Sequence, residues 1–131
     1  MRATLPAIKQ RKAGKIVVTA SIAGLRANTS IGYSYTVSKT ALVSLTKTLA
    51  LELAPSNIQV NALAPGPFIT NINGGRFHDP SNAALEASSV PLKRLAEPHE
   101  IKGLALLLAS NASSYITGAV IPIDGGKTAG G

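Results

Sequence analysis

Ile16-Val17-Val18-Thr19-Ala20 is the stretch that decides the fold, because this apolar run predicts a buried strand. Two further runs, at about residues 58–63 and 118–123, predict a second and a third strand. Helical stretches separate the runs, so the strands are expected to lie parallel, with right-handed crossovers. The predicted fold class is therefore α/β, with three parallel strands and flanking helices.

Polar residues after the first strand suggest a proton-transfer site. Ser21 follows that strand directly, and Tyr35 and Lys39 stand at the head of a long apolar helix. The i, i+4 spacing puts Tyr35 and Lys39 on one helical face. A phenol, with a reference pKa of about 10, is a poor acid-base catalyst at neutral pH unless a nearby cation favours the phenolate. Lys39 supplies that cation, and a hydroxyl at Ser21 could hold a carbonyl or alcohol oxygen.

A structural interpretation of the same residues stays open when the pair is taken alone. Tyr-x-x-x-Lys arises often by chance, in which case Tyr35 is a packed aromatic residue and Lys39 a solvated charge. Tyr33 is interpreted in that way, as a surface or loop residue. Context favours the site, because the second strand leads directly into Ala64-Pro65-Gly66-Pro67.

With these motifs, nearly the whole chain resembles the C-terminal half of the short-chain dehydrogenase/reductase (SDR) family. The resemblance implies half of a doubly wound Rossmann-type sheet, a partial SDR domain over residues 1–131. The motifs that carry it are Thr19-Ala20-Ser21-Ile22-Ala23-Gly24, Tyr35-Thr36-Val37-Ser38-Lys39, residues 61–70 (NALAPGPFIT), Pro91-Leu92-Lys93-Arg94 and Ile121-Pro122-Ile123-Asp124-Gly125-Gly126.

The resemblance implies NAD(P)-dependent interconversion of an alcohol and a carbonyl on a small-molecule substrate. Tyr35 would be the general acid/base, and Lys39 would assist it and hold the nicotinamide ribose. Ser21 would hydrogen-bond the reacting oxygen. The choice between NAD and NADP, and the identity of the substrate, are not readable from these residues.

The segment after the second strand would contact the same cofactor. The resemblance implies that Pro65, Gly66 and Ile69 approach the nicotinamide, with the Ile69 backbone and the Thr70 hydroxyl suited to its carboxamide. An ordinary turn is the alternative for Pro65-Gly66. Residues 67–97 have little periodicity and are expected to form a substrate loop, with a short helix near residues 83–87.

The chain departs from the family by lacking the glycine-rich turn that cradles the cofactor pyrophosphate. We therefore expect a truncated chain that could be inactive alone, with an unpaired apolar edge on its first strand. Two hypotheses stay open: the catalytic half of an oxidoreductase, or a noncatalytic fragment or interaction module that associates with a full-length relative.

The two longest helices are expected to pack differently. A helix over about residues 98–110 should pack on the sheet. The helix that carries Tyr35 has apolar surface around much of its circumference, so it needs cover on two sides. In the family a partner subunit commonly supplies one of them, which implies a homo-oligomer, a dimer or tetramer. The main stripe of that helix consists of Leu42, Leu45, Leu49 and Leu53.

Composition and the spacing of charged residues argue against several other function classes. The net charge of +7 invites a nucleic-acid hypothesis, but the basic residues are scattered, without aromatic interleaving, and none is expected to bind nucleic acid. No apolar run approaches the roughly 20 residues that span a bilayer, so no membrane partner is expected. His78 and His99 are isolated, which argues against a metal site. The absence of cysteine excludes disulfides and thiol catalysis and fits a cytoplasmic protein.

Overall fold

The computed structural model describes residues 4–27 and 31–130, and within these it contains a three-stranded parallel sheet in the order β1-β2-β3. The strands are β1 (Gly14–Thr19), β2 (Ile58–Pro65) and β3 (Val120–Ile123). The predicted fold class is confirmed, and each predicted strand lies within a few residues of its observed bounds.

Helices connect these strands. They are α1 (Leu5–Arg11), α2 (Tyr33–Leu53), α3 (Pro80–Ser88) and α4 (Lys102–Ala109), joined by short 3₁₀ helices at Ile22–Gly24, Ala54–Ser56, Ile72–His78, Pro98–Ile101 and Asn111–Ser113. Residues 1–3 lie outside the described part.

The strand register positions the functional end of the sheet. β1 pairs with β2 from Gly14↔Ile58 to Thr19↔Leu63, so the carboxyl ends of both strands lie at the same edge. Ser21 follows one strand there, and Pro65 ends the other. This edge is where parallel α/β sheets place ligands.

The core lies between α2 and the sheet. Leu49, Ala50 and Leu53 of α2 are buried against Ile58 and Val60 of β2. Burying a leucine side chain fully contributes roughly 1.5–3 kcal/mol, so this contact stabilises the C-terminal end of α2.

The apolar residues of α2 are not all covered. Leu45 is exposed, although it belongs to the predicted leucine stripe, and Leu51 is 81% exposed. Tyr33, interpreted as a surface or loop residue, is 90% exposed and is the first residue of the helix. The sheet therefore covers one side of α2, as expected, and a second apolar side faces outwards.

The segment 67–97 holds more helix than its composition predicts. Its short predicted helix is α3, which begins at Pro80 and follows a 3₁₀ helix over Ile72–His78. Asp79 and Pro80 carry both a loop and a helix-start signal, and here Asp79 is the N-cap, because its carboxylate accepts the Asn82 amide at 2.9 Å.

Side-chain hydrogen bonds of Asn61 join β2 to the segment that enters β3. Its side-chain amide donates to the Ile116 carbonyl at 2.8 Å, and its side-chain oxygen accepts the Ala119 amide at 3.0 Å. The residue is buried with both ends of its amide bonded, so its role is structural.

α4 packs on the sheet as expected, with Leu108 almost wholly buried and a contact surface to β1 and β2. Within residues 4–27 and 31–130, the helices are all too short or too polar to span a bilayer.

Candidate active site

A cavity of about 1340 Å³ opens at the carboxyl end of the sheet. Ligand sites are commonly 300–1,000 Å³, so the space is ample for a cofactor fragment together with a substrate. Most of the candidate residues line it: Ser21, Tyr35, Lys39, Pro65, Gly66 and Thr70. Residues from β1, α2 and β2 therefore converge on one site.

Ser21 is held rigidly at the start of a 3₁₀ helix. It is only 7% exposed and has extended backbone dihedrals, and its hydroxyl oxygen accepts the Ala23 amide at 3.1 Å. The hydroxyl proton is free to donate to a ligand oxygen, because a serine can donate and accept at once. The turn presents Ser21 to the cavity as a fixed hydrogen-bond donor.

Close packing of that turn on α2 fixes Ser21 relative to Lys39. A Cβ atom built on Gly24 would lie 2.6 Å from the Lys39 carbonyl oxygen, so only glycine fits there. The backbones of the two elements are in direct contact, which ties the serine and the helix residues into one geometry.

Lys39 lies between the end of β1 and Tyr35. Its ammonium nitrogen donates to the Thr19 carbonyl at 3.1 Å and lies 5.6 Å from the centre of the Tyr35 ring. An ammonium group has three donors, so two remain for other partners. The Lys39 hydrogen bond to Thr19 thereby holds a positive charge near the Tyr35 ring.

Ile69 and Thr70, which follow the Pro65-Gly66 turn, differ in their position relative to the cavity. Thr70 lines the cavity, and its hydroxyl oxygen accepts the Ile72 amide at 3.4 Å. Ile69 is not among the residues that line it, and its amide donates to the Ala96 carbonyl at 2.9 Å, next to a bridge between the ends of the 67–97 segment. The contact expected between the Ile69 backbone and the carboxamide stays a prediction.

Sequence reasoning missed the charged wall of the cavity. Arg26 and Arg76 line it, as do Glu86 and Lys127, which form an ion pair between α3 and the segment after β3. The Lys127 carbonyl also accepts a hydrogen bond from Arg26 at 2.9 Å. No local sequence motif indicates these contacts, because Glu86 and Lys127 are 41 residues apart.

Asp124 holds the turn after β3, which carries Lys127. Its carboxylate accepts the Gly126 amide at 3.0 Å, and the Thr128 amide and hydroxyl at 2.8 and 2.6 Å. Burial raises the pKa of Asp124, but these hydrogen bonds together outweigh it, so its pKa lies below the ordinary value. The carboxylate is therefore charged at neutral pH and keeps the turn closed.

A second carboxylate anchors the 3₁₀ helix Pro98–Ile101, whose two end residues line the cavity. Glu100 receives two hydrogen bonds of 2.7 Å from the Arg94 guanidinium and one of 2.8 Å from the Glu97 amide. The Arg94 hydrogen bonds, followed by the Glu97 amide, lower the pKa of Glu100 to about 2. The bidentate, charge-assisted hydrogen bonds between Arg94 and Glu100 therefore stabilise this side of the cavity.

Comparison with known proteins assigns the family. A family model described as enoyl-(acyl carrier protein) reductase matches residues 1–128. The bovine (Bos taurus) protein named dehydrogenase/reductase SDR family member 4 is 42% identical over 126 residues, which are 96% of this chain and 45% of that protein. The chain belongs to the short-chain dehydrogenase/reductase family.

Solved structures of SDR enzymes have the same fold. The gluconate 5-dehydrogenase from Burkholderia cenocepacia, in complex with NADP and tartrate, superposes with a TM-score of 0.90 at 32% identity, over 98% of this chain and 50% of that one. The 3-oxoacyl-[acyl-carrier protein] reductase from Brucella melitensis, with bound NAD, gives 0.84 at 36% identity, over 95% and 45%. The chain spans about half the length of the SDR relatives it matches, and it aligns with part of oxidoreductases that bind NAD or NADP.

Proposed function

We propose that this chain carries the catalytic centre of an NAD(P)-dependent oxidoreductase that interconverts a small-molecule alcohol and the corresponding carbonyl. One observation carries the proposal: Ser21, Tyr35 and Lys39 line the same cavity, with the Lys39 ammonium between Tyr35 and the end of β1. Membership of an oxidoreductase family supports the same reaction class.

The residues present fit a nicotinamide-ribose at this cavity. The two free donors of Lys39 suit a ribose hydroxyl and the phenol oxygen, and Pro65, Gly66 and Thr70 line the adjoining wall. Neighbours with bound NAD and with bound NADP support the cofactor class without choosing between the two. A bound nicotinamide would supply or accept the hydride.

The remaining chemistry belongs to side chains of this chain. Ser21 donates a hydrogen bond to the substrate oxygen and holds it near Tyr35. In reduction, the carbonyl carbon gains the hydride and its oxygen gains the proton of the Tyr35 hydroxyl, which yields the alcohol. In oxidation, the Tyr35 phenolate accepts the proton of the alcohol. The Lys39 charge stabilises that phenolate in both directions.

Turnover by the protein that contains this chain tests the proposal. NADH or NADPH oxidation, followed at 340 nm with a panel of aldehydes and ketones, should detect carbonyl reduction. Tyr35→Phe removes only the proton donor and should lower kcat by about 10²- to 10⁴-fold, the usual contribution of general acid-base catalysis. Tyr33→Phe makes the same chemical change outside the cavity and should leave kcat unchanged. Equal activity of Tyr35→Phe and wild type would refute the assignment.

A noncatalytic interaction module is the second candidate, and the outward apolar side of α2 favours it. Tyr33, Val37 and Leu51 are exposed there, and such a surface suits a partner helix. The same surface supports a homo-oligomer for the catalytic candidate. Wild-type turnover that depends on Tyr35 rules out the noncatalytic role, whereas binding to a full-length relative without any turnover supports it.

A further inference from the structure

We propose that the substrate of this site carries an anionic group, a carboxylate or phosphate, which Arg76 recognises with help from Arg26. This inference rests on the proposed function, because it names the substrate class of the same cavity. It starts from the charges of the cavity wall, where four cations, Arg26, Lys39, Arg76 and Lys127, face one carboxylate, Glu86, among the described residues.

Most of this positive charge has no acidic partner within the cavity. Glu86 is neutralised by Lys127, since the two form an ion pair. Lys39 bonds to a neutral carbonyl and is committed to Tyr35. Arg26 and Arg76 remain, and neither forms a salt bridge to any residue in the described parts of the chain.

The two arginines differ in how freely they can receive a ligand. One Arg26 nitrogen donates to the Lys127 carbonyl, which orients that side chain at the wall and leaves its other donors for a ligand. Arg76 makes no hydrogen bond to a described residue, and its guanidinium carbon lies 6.0 Å from the centre of the Phe77 ring. Both Arg76 and Phe77 line the cavity, so the ring supports the guanidinium from the side.

The position of Arg76 suits a contact with a part of the substrate other than the reacting oxygen. Arg76 lies on the 3₁₀ helix Ile72–His78, within the expected substrate loop, whereas Ser21 follows β1 and Tyr35 lies on α2. A guanidinium binds carboxylate or phosphate with two parallel hydrogen bonds, which fixes orientation as well as adding affinity. A substrate with its carbonyl at Tyr35 and its anionic group at Arg76 would span the cavity.

Matched pairs of ketones test this proposal in the protein that contains this chain. Acetoacetate is compared with methyl acetoacetate, and dihydroxyacetone phosphate with dihydroxyacetone, because the members of each pair differ in charge at a similar ketone. The wild type should favour the anionic member of at least one pair. Arg76→Ala should raise KM for that member by about 10- to 100-fold, while KM for its neutral partner changes less than about twofold. Arg76→Lys should restore part of the preference.

The controls separate this proposal from its rivals. Arg11→Ala removes the same charge from α1, outside the cavity, and should leave both KM values unchanged. Equal use of anionic and neutral ketones by the wild type, with turnover still dependent on Tyr35, would overturn the anionic-substrate inference and leave the proposed function standing. A rise in the cofactor Kd alone in Arg76→Ala would assign Arg76 to cofactor phosphates and also overturn it. Absence of Tyr35-dependent turnover with every ketone would refute the proposed function itself.

Discussion

Replacement of Gly24 by alanine should damage both stability and activity, although the added group is a single methyl. The new Cβ would lie 2.6 Å from the Lys39 carbonyl oxygen and 2.7 Å from its carbonyl carbon. Ordinary contacts begin at about 3.5 Å, so the turn and α2 must separate by about 0.9 Å. Both obstructing atoms belong to helix backbone and cannot rotate away. Overpacking of this kind costs about 1–3 kcal/mol.

The same separation acts on the candidate site. The turn begins after Ser21, and the obstructing atoms belong to Lys39, so the serine should move relative to the lysine and its neighbour Tyr35. A misplacement of about 1 Å costs on the order of 100-fold in rate. Gly24→Ala should therefore lower kcat by about that factor, even under conditions where the variant is fully folded.

Urea denaturation gives the loss of stability, and steady-state kinetics with the best carbonyl substrate give the loss of rate. Gly103→Ala is the matched control, because Gly103 lies in α4 and a Cβ there meets nothing within 4 Å. That control should be stabilised by roughly 0.5–1 kcal/mol, the usual gain from alanine in a helix. If Gly24→Ala has the stability and kcat of the wild type, the contact between the turn and α2 does not position the site, and the reasoning fails.

Two other changes test the structure. Asn61→Ala should lower the free energy of unfolding by about 1–3 kcal/mol, since it leaves the partly buried Ile116 carbonyl and Ala119 amide without their Asn61 partner. Denaturation curves within about 0.5 kcal/mol of wild type would contradict that role. Glu100→Gln should flatten the acid dependence of the melting temperature, because the pKa of Glu100 falls from 4.5 when unfolded to about 2 when folded. The stabilisation is complete above pH 4.5 and is lost as the pH falls towards 2, so wild type and variant should converge at low pH; a constant difference between them would count against it.

Local patterns predicted the framework well. β1 and β2 are apolar runs, and the parallel pairing follows from the helical connections, so both could be anticipated from the chain alone. Tyr35 and Lys39 share a face because four residues separate them on a helix, and the cavity receives both. In these cases residues close together in sequence determine the structure, so the sequence alone predicts it.

The remainder depends on contacts between distant segments. Lys39 donates to the backbone carbonyl of Thr19. Any residue type has such a carbonyl, so the sequence does not indicate this contact. Arg26 and Arg76 share a cavity only because the turn after β1 faces the 67–97 segment. The hydrogen bond of the Ile69 amide to the Ala96 carbonyl joins the two ends of the 67–97 segment, which periodicity cannot indicate.

The parallel register of the sheet has a consequence for how the chain folds. The segment that enters β3 is joined to β2 by contacts such as the hydrogen bond from the Val60 amide to the Thr117 hydroxyl, between residues 57 apart in sequence. Closing so long a loop costs entropy before any contact compensates for it, which makes parallel sheets slow to form. During synthesis on the ribosome, β2 emerges well before β3 and must wait with one apolar edge open. A chaperone that shields that edge should therefore raise the yield of folded protein.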